Sequence, residues 1–454
     1  MIRLPDARRC QEWAEQMLSY ALAAGADGAE VLVRDGSELE VKVRLGEPEL
    51  VKDAGSRALG MRALRDHRVA VAYTSDFAPA AMRQFARESV DMCGLAEPDP
   101  LADLPERHEM AREVLDLDLW DESAPSLDAA QALGLARRGE QAALQFDRRV
   151  TNSEGAVCCR VMGATAFASS AGFSGGYRGT SLSLVVAPVC DDADGKKSNG
   201  HYWTAARFTS GLLDPEAVGL EAARRTLAKL GSRKIATSQV PAVFAPEAAR
   251  ALLGQLAGVV SGGAVWRKSS YLAAREGTAV ASSLVTVVDD PLIRRAPGSR
   301  PFDGEGLATR PNQVVSEGVL RAFLCDVYSG RKLGRRSTGS AGRGVGGGPH
   351  VSTSNFILLP GKTEAAELER LPQGLYITDL MGFGFNPVTG DWSQGANGFW
   401  IDGGSRAYPV SEITISINFD DLWKSIDGVG NDLDTRSSVQ SPTLRVSRIT
   451  VAGT

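Results

Sequence analysis

Apolar positions along the chain change period several times. From Asp6 to Ala24, residues Cys10, Trp13, Met17, Leu18 and Tyr20 to Leu22 recur near helical spacing and run into Ala23-Ala24-Gly25, which predicts an amphipathic N-terminal helix. From Ala29 to Thr74 the period drops to two, as in Val31, Val33, Leu39, Val41 and Val43, with breaks at Asp35-Gly36, Gly46-Glu47-Pro48 and Arg65-Asp66-His67-Arg68. That pattern predicts an antiparallel meander. A second helix is predicted over Ala78 to Met92. The Pro-, Asp- and Glu-rich stretch from Glu97 to Ala129 reads as a long surface connection rather than packed structure, and a third helix covers Leu127 to Phe146. Several strands follow over Val150 to Phe208, with Gly172 to Tyr177 as a turn, and a helix over Asp214 to Leu230 closes this half.

The second half opens with a strand from Val240 to Phe244 and a helix from Pro246 to about Val260, where a proline in the first turn loses no helical hydrogen bond. Strand-like runs then follow at Leu284–Val288, Val314–Phe323, Asn355–Leu359, Gly374–Thr378, Gly398–Ile401, Ala407–Pro409, Ile413–Asn418 and Thr443–Val451, joined by glycine-rich loops. The prediction is an α+β chain of two domains: an N-terminal antiparallel sheet with helices (1–230), a short polar linker (231–238) and a β-rich C-terminal domain (239–454). At 454 residues the chain exceeds what one core usually serves.

Charge narrows the function classes. Fifty Lys and Arg against 55 Asp and Glu give a net charge of -5, which offers no broad field for a phosphate backbone, so no nucleic-acid partner is expected. Met1 to Ala7 lacks the apolar core of a secretory signal, and the most apolar stretch, Val243 to Val265, is broken by Glu247, Arg250 and Gln255. No membrane association and a cytoplasmic location are therefore expected. The six cysteines (Cys10, Cys93, Cys158, Cys159, Cys190, Cys325) form no C-x-x-C pair and read as reduced, mostly buried thiols, with Cys158 and Cys159 pointing to opposite faces of a strand.

Candidate chemistry is sparse. None of the four histidines (His67, His108, His201, His350) stands four or five residues from another, so the helical two-histidine metal signature is absent. The glycine-rich run Thr338 to His350 lacks the Lys-Ser/Thr element of a phosphate cradle and predicts a mobile loop near a cleft. Asp289-Asp290 and Asp303-x-Glu305 would serve acid/base chemistry if paired in a cleft, but with no histidine or nucleophile in frame they read first as turn and cap residues. Ser269-Ser270, beside Arg267-Lys268, lacks a visible base.

Long ordered blocks carry a resemblance: Ser299 to Gly306, Tyr328 to Gly334, Asn386 to Ile401 and Tyr408 to Ile415. On them the chain resembles the TldD/PmbA family over essentially its whole length, most strongly after residue 240. The resemblance implies an α+β N-terminal domain and a β-rich C-terminal domain containing a metalloprotease helix. In the zinc-bearing TldD side of the family that helix carries His-Glu-x-x-x-His, with a cysteine nearer the C-terminus as a further ligand. Here the corresponding positions are Gly254, Gln255 and Val259, and the last cysteine is Cys325. A glycine and a valine cannot ligate zinc and a glutamine amide is no general base, so the chain resembles the TldE (PmbA) side.

The resemblance therefore implies a chain with no catalytic residue, metal site or cofactor of its own. What it implies is pairing with a TldD-like zinc-bearing paralogue that holds the zinc, with unfolded peptide as the substrate of the pair; a homodimer of the isolated chain stands as the alternative assembly. Phe302, Asp303, Glu305, Arg331, Lys332, Asp391 and Trp400 are the candidates for a substrate or partner cleft. Two alternatives stand beside it: a standalone hydrolase using Asp289, Asp303, Glu305 or a serine, and a protein-binding modulator of DNA gyrase.

Overall fold

The computed structural model describes residues 4–453; Met1, Ile2 and Arg3, part of the segment read for a signal, lie outside the described residues. Helix α1 (Ala7–Ala23) starts where the Asp6 carboxylate accepts the Arg8 and Arg9 amides, and it buries Cys10, Trp13, Ala14, Met17 and Ala21. Strands β1 (Gly28–Arg44), β2 (Glu47–Arg65) and β3 (Arg68–Thr74) form the predicted meander, followed by α2 (Pro79–Met92) and α3 (Ala129–Phe146). Next come β4 (Val150–Ser169), β5 (Phe173–Asp191), β6 (Lys197–Asn199), β7 (Tyr202–Ala206) and α4 (Pro215–Leu227). These strands make one seven-stranded sheet in the order β3-β2-β1-β4-β5-β6, with β7 also on β5.

Alternation along β1 assigns the two faces of this sheet. Val31 and Val33 pack with α1 and α2, and Leu39, Val41 and Val43 pack with α3 and α4. The even positions face the other way, where Leu32 joins Phe167, Phe302, Leu307 and Val327 in a cluster shared with the C-terminal half.

That half begins with β8 (Ser238–Phe244), α5 (Pro246–Val259) and α6 (Gly262–Trp266). Short elements follow: β9 (Val287–Asp289), β10 (Asn312–Ser316), β11 (Val319–Leu320), α7 (Val327–Lys332), β12 (Ala341–Gly342), β13 (His350–Val351), β14 (Phe356–Leu358) and α8 (Ala365–Leu368). The chain ends with β15 (Gln373–Met381), β16 (Asp391–Asp402), β17 (Ser405–Asn418), α9 (Phe419–Lys424), β18 (Ile426–Val429), β19 (Val439–Gln440) and β20 (Leu444–Ala452). Strands β17, β16, β15, β8 and β20 pair in that order, and β20 returns to β17, so the sheet closes as a barrel with β18 outside it. Barrel residues Phe244, Ile377, Trp392 and Ile415 share one core cluster with Leu252, Leu253, Leu256 and Val259 of α5. The whole is the α+β fold expected, and no helix among the described residues is long and apolar enough to cross a membrane.

Several predicted breaks are corrected. Asp35-Gly36 is no turn: it lies inside β1, and Gly36 is there because a Cβ would come within 2.9 Å of the Met162 carbonyl. The turn placed at Gly172 to Tyr177 ends at Gly172 (φ +109), and Gly176 allows the strand to pass the Ala7 carbonyl, 3.0 Å from where a Cβ would stand. The runs Ala407–Pro409 and Ile413–Asn418 are one strand, β17, kinked at Glu412 with φ +54.

The connection expected over Glu97 to Ala129 has no strand or α-helix before α3 begins at Ala129, yet it is packed. Met110, Leu117 and Leu119 are buried, and the Ala111 amide donates to the Gly306 carbonyl at 2.9 Å. The first half of the glycine-rich run expected as a mobile loop is packed too, because Ala341 and Arg343 are buried and Arg343 enters the sheet's even face, while Gly344, Gly346, Gly348 and His350 are exposed.

Candidate functional site

Helix α5 takes its place from its own sequence. Ala248, Ala249, Leu252, Leu253, Leu256 and Val259 fall on one stripe and bury it in the barrel core, which leaves Gly254 and Gly258 outward. Nothing stands within 4 Å of where a Cβ would project from either glycine. Gln255 is half-buried, and its Nε2 reaches Gln394 Oε1 on β16 at 3.5 Å, while Gln394 Nε2 donates to the Gly382 carbonyl at 2.8 Å. Val259 points into the core at 1% exposure. The three positions that the resemblance aligned with zinc ligation thus range from exposed through half-buried to fully buried.

The other groups do not fit the implied zinc either. His67 lies in the β2–β3 turn, His108 pairs with Glu106 at 3.1 Å, His201 is exposed ahead of β7, and His350 is exposed in β13. Cys325 is buried, and burial pushes its thiol up to about 11, so it stays protonated rather than offering a thiolate. Among the described residues, no three His, Cys, Asp or Glu side chains form a group that could hold a metal ion.

The structure separates the cleft candidates. Phe302, Asp303 and Glu305 do not line an opening: all three are buried where the two halves meet. Phe302 packs edge-on to Phe173 at 4.9 Å and Tyr177 at 5.4 Å. Asp303 Oδ1 accepts the Glu305 and Leu307 amides at 2.9 and 3.0 Å across a turn, and Oδ2 accepts Ala341 at 3.1 Å. Glu305 accepts the Val327 amide at 2.8 Å. Burial, then the charges of Asp303 and Glu30, hold its carboxyl well above the usual range.

Arg331 clamps the 97–129 connection, donating to the carbonyls of Leu101, Asp103 and Leu104 at 3.1, 2.7 and 2.6 Å. Lys332 lies 5.0 Å from the Tyr328 ring, and Tyr328 Oη donates to Asp99 at 2.8 Å. Asp391 opens β16 beside the exposed Phe383, and Trp400 stacks on Tyr408 at 6.5 Å. Ser270 is structural, since its Oγ donates to the Val259 carbonyl at 2.7 Å.

Asp289 carries a titration. Its Oδ1 accepts Ser354 N and Oγ at 2.6 and 3.0 Å, yet burial outweighs these bonds and the Arg300 charge and pushes the carboxyl up to about 6. An unfolded aspartate titrates near 3.9, so its contribution to stability is complete below about pH 4 and declines as pH rises to about 6. The loss amounts to about 3 kcal/mol. Asp289→Asn is expected to remove this component: the difference between the urea stabilities of parent and variant should change by about 2 kcal/mol from pH 4 to 6, with the rest of the change lying outside that interval. Parallel stability curves would refute the assignment.

The sequence reading also missed a cleft of about 460 Å³ in the seam between α4 and β7 on one side and the start of α5, β15, β16 and β17 on the other. Glu247 takes Arg225 at 3.0 Å and Arg436 at 3.1 Å, and Arg436 lies 4.6 Å over the Trp203 ring. No local spacing marks these residues, since their partners are 22 and 189 positions apart.

Family models match three consecutive parts of the chain: PmbA/TldA metallopeptidase domain 1 over residues 29–93, the central domain over 122–230 and the C-terminal domain over 237–453. The chain is similar to the Metalloprotease PmbA of Escherichia coli O157:H7, being 38% identical over 443 residues that cover 97% of this chain and 96% of that one. A solved structure described as a candidate modulator of DNA gyrase, from Bacteroides thetaiotaomicron, matches with TM-score 0.91 at 24% identity, covering 98% of this chain and 99% of that one. TldE from Thermococcus kodakarensis matches with TM-score 0.86 at 20% identity, covering 97% and 100%. At these identities the two solved structures establish the shared fold alone.

Proposed function

Since the chain belongs to the PmbA/TldD metallopeptidase family, we propose that it is the metal-free, TldE-like subunit of a two-chain zinc peptidase that processes or degrades unfolded peptides in the cytoplasm. A TldD-like paralogue holds the zinc, and this chain completes an enclosed chamber with its C-terminal half and helps to hold extended substrate. The observation that carries the reading is α5, which offers open space at Gly254 and Gly258, an amide at Gln255 and a core side chain at Val259. None of these ligates a divalent cation or deprotonates its water.

The standalone hydrolase is disfavoured by the same geometry, because Asp289 and Asp303 spend their oxygens on Ser354, Glu305, Leu307 and Ala341 in the interior, and Glu305 accepts Val327 there. The test is to purify the chain alone, the zinc-bearing paralogue alone, and the two co-expressed, then measure metal content and cleavage of an unfolded peptide. This chain alone is expected to hold no stoichiometric zinc and to cleave nothing, with full activity only in the pair. Chelator-sensitive cleavage by this chain alone would overturn the proposal.

A further inference from the structure

The turn after Phe302 places two acids in the interior of the seam, Asp303 and Glu305, both buried. Their hydrogen bonding differs. Asp303 accepts three backbone amides, whereas Glu305 accepts one, from Val327, the first residue of α7, at 2.8 Å. Each N–H donor favours the charged form of a carboxylate, so Asp303 takes the charge and Glu305 keeps a proton.

The charged groups facing Glu305 come from separate segments: Asp303 in its own turn, Glu30 on β1, Arg62 on β2, Arg343 in the 338–350 run and Asp326 at the cap of α7. Asp326 is spent on the Ser329 amide at 2.8 Å and on the Ser329 hydroxyl. Among the described residues no cation hydrogen-bonds Glu305. Arg62 and Arg343 each give an Nη1 to Glu30 Oε2, and the other oxygen of Glu30 stays unbonded. Arg343 makes no further side-chain bond, since its buried Nε and Nη2 have no partner among the described residues. Those two atoms form one edge of the guanidinium, and such an edge takes a carboxylate with two parallel bonds.

We propose that Glu305 is a proton-operated latch between the two halves: as the neutral acid it stays on the Val327 amide, and once its proton leaves to solvent it turns to the open edge of Arg343. A single N–H cannot offset a buried charge beside Asp303, Glu30 and Asp326, whereas a two-bond contact with an arginine can. The first amide of α7 is then left unpaired. This matters beyond one bond because α7 holds the 97–129 connection, through Arg331 on the carbonyls of Leu101, Asp103 and Leu104 and through Tyr328 on Asp99. The sign follows from burial, which raises the Glu305 carboxyl: the latch is complete in acid and is lost as pH rises through the raised value. Rising pH therefore loosens α7 and the 99–104 stretch together. The latch involves neither zinc nor peptide and does not depend on the role proposed above.

The test is hydrogen exchange of the full chain from about pH 6 to about pH 9, a range that covers the values deeply buried glutamates reach. Rates are corrected for the base-catalysed rise of intrinsic exchange. Above its transition the neutral acid falls about tenfold per pH unit, so protection of 327–333 and 99–104 in the parent is expected to fall at least about tenfold. Helix α1, on the other face of the sheet, should keep its protection. Glu305→Gln retains an oxygen for the Val327 amide and cannot ionise, so it should hold the acid-side protection throughout. Constant protection of both stretches in the parent overturns the proposal without recourse to a variant. A loss of equal size in Glu305→Gln, or one that extends equally to α1, overturns it as well.

Discussion

Replacing Glu30 by alanine is expected to cost the fold about 3–5 kcal/mol, read as a lower urea midpoint at unchanged slope. Glu30 is fully buried on the even face of β1, where its Oε2 accepts Arg62 Nη1 at 3.0 Å from β2 and Arg343 Nη1 at 2.8 Å from the glycine-rich run. Both guanidiniums are buried as well, and Arg62 Nη2 also donates to the Ala102 carbonyl. Burial pushes Arg343 below its ordinary value, but an arginine starts so high that it stays charged. Removing the carboxylate therefore strands two cations in the interior, which costs more than the ion pairs contribute. The triple variant Glu30→Leu, Arg62→Leu, Arg343→Met, which removes all three charges, should lose less than Glu30→Ala alone. A single variant as stable as the parent would show that water reaches this cluster.

Gly60→Val is the second large effect, at about 3 kcal/mol, because the site has no room to yield cheaply. Gly60 lies on the same face of β2, opposite Leu32, and a Cβ built there would stand 1.8 Å from the Val345 carbonyl oxygen. The substitution must push the 338–350 run off the sheet, so amides from Ala341 to Gly346 should lose hydrogen-exchange protection with it. Gly55, on the same strand, meets nothing closer than 3.8 Å, and Gly55→Ala should stay within about 0.5 kcal/mol of the parent. Equal behaviour of the two variants would sink the account of the seam.

Much of the fold was legible because local signals agreed. Asp6 followed by apolar residues at helical spacing gave α1, and the valines of β1 gave the sheet face that α1 and α3 cover. Pro246 and the Ala248 to Val259 stripe placed α5. What misled was glycine: Gly36 and Gly176 read as breaks, although they serve close approaches within continuous strands. Three of the cleft candidates are buried for a related reason. Phe302, Asp303 and Glu305 stood out in a distinctive block, and the same block would stand out whether it faced a substrate or the protein's own interior.

The amino-acid sequence by itself determined most element types, the α+β class and the family resemblance, since each depends on residues near one another in the chain. Only the tertiary structure decided that the polar-looking side of β1 is buried. Glu30 meets Arg343 across 313 positions and Arg34 reaches the Arg343 carbonyl across 309. Such contacts leave no periodicity, because burial is paired through space between groups that each look solvent-facing in their own segment. The same holds for the outer half of β2, left unpaired because β3 ends at Thr74.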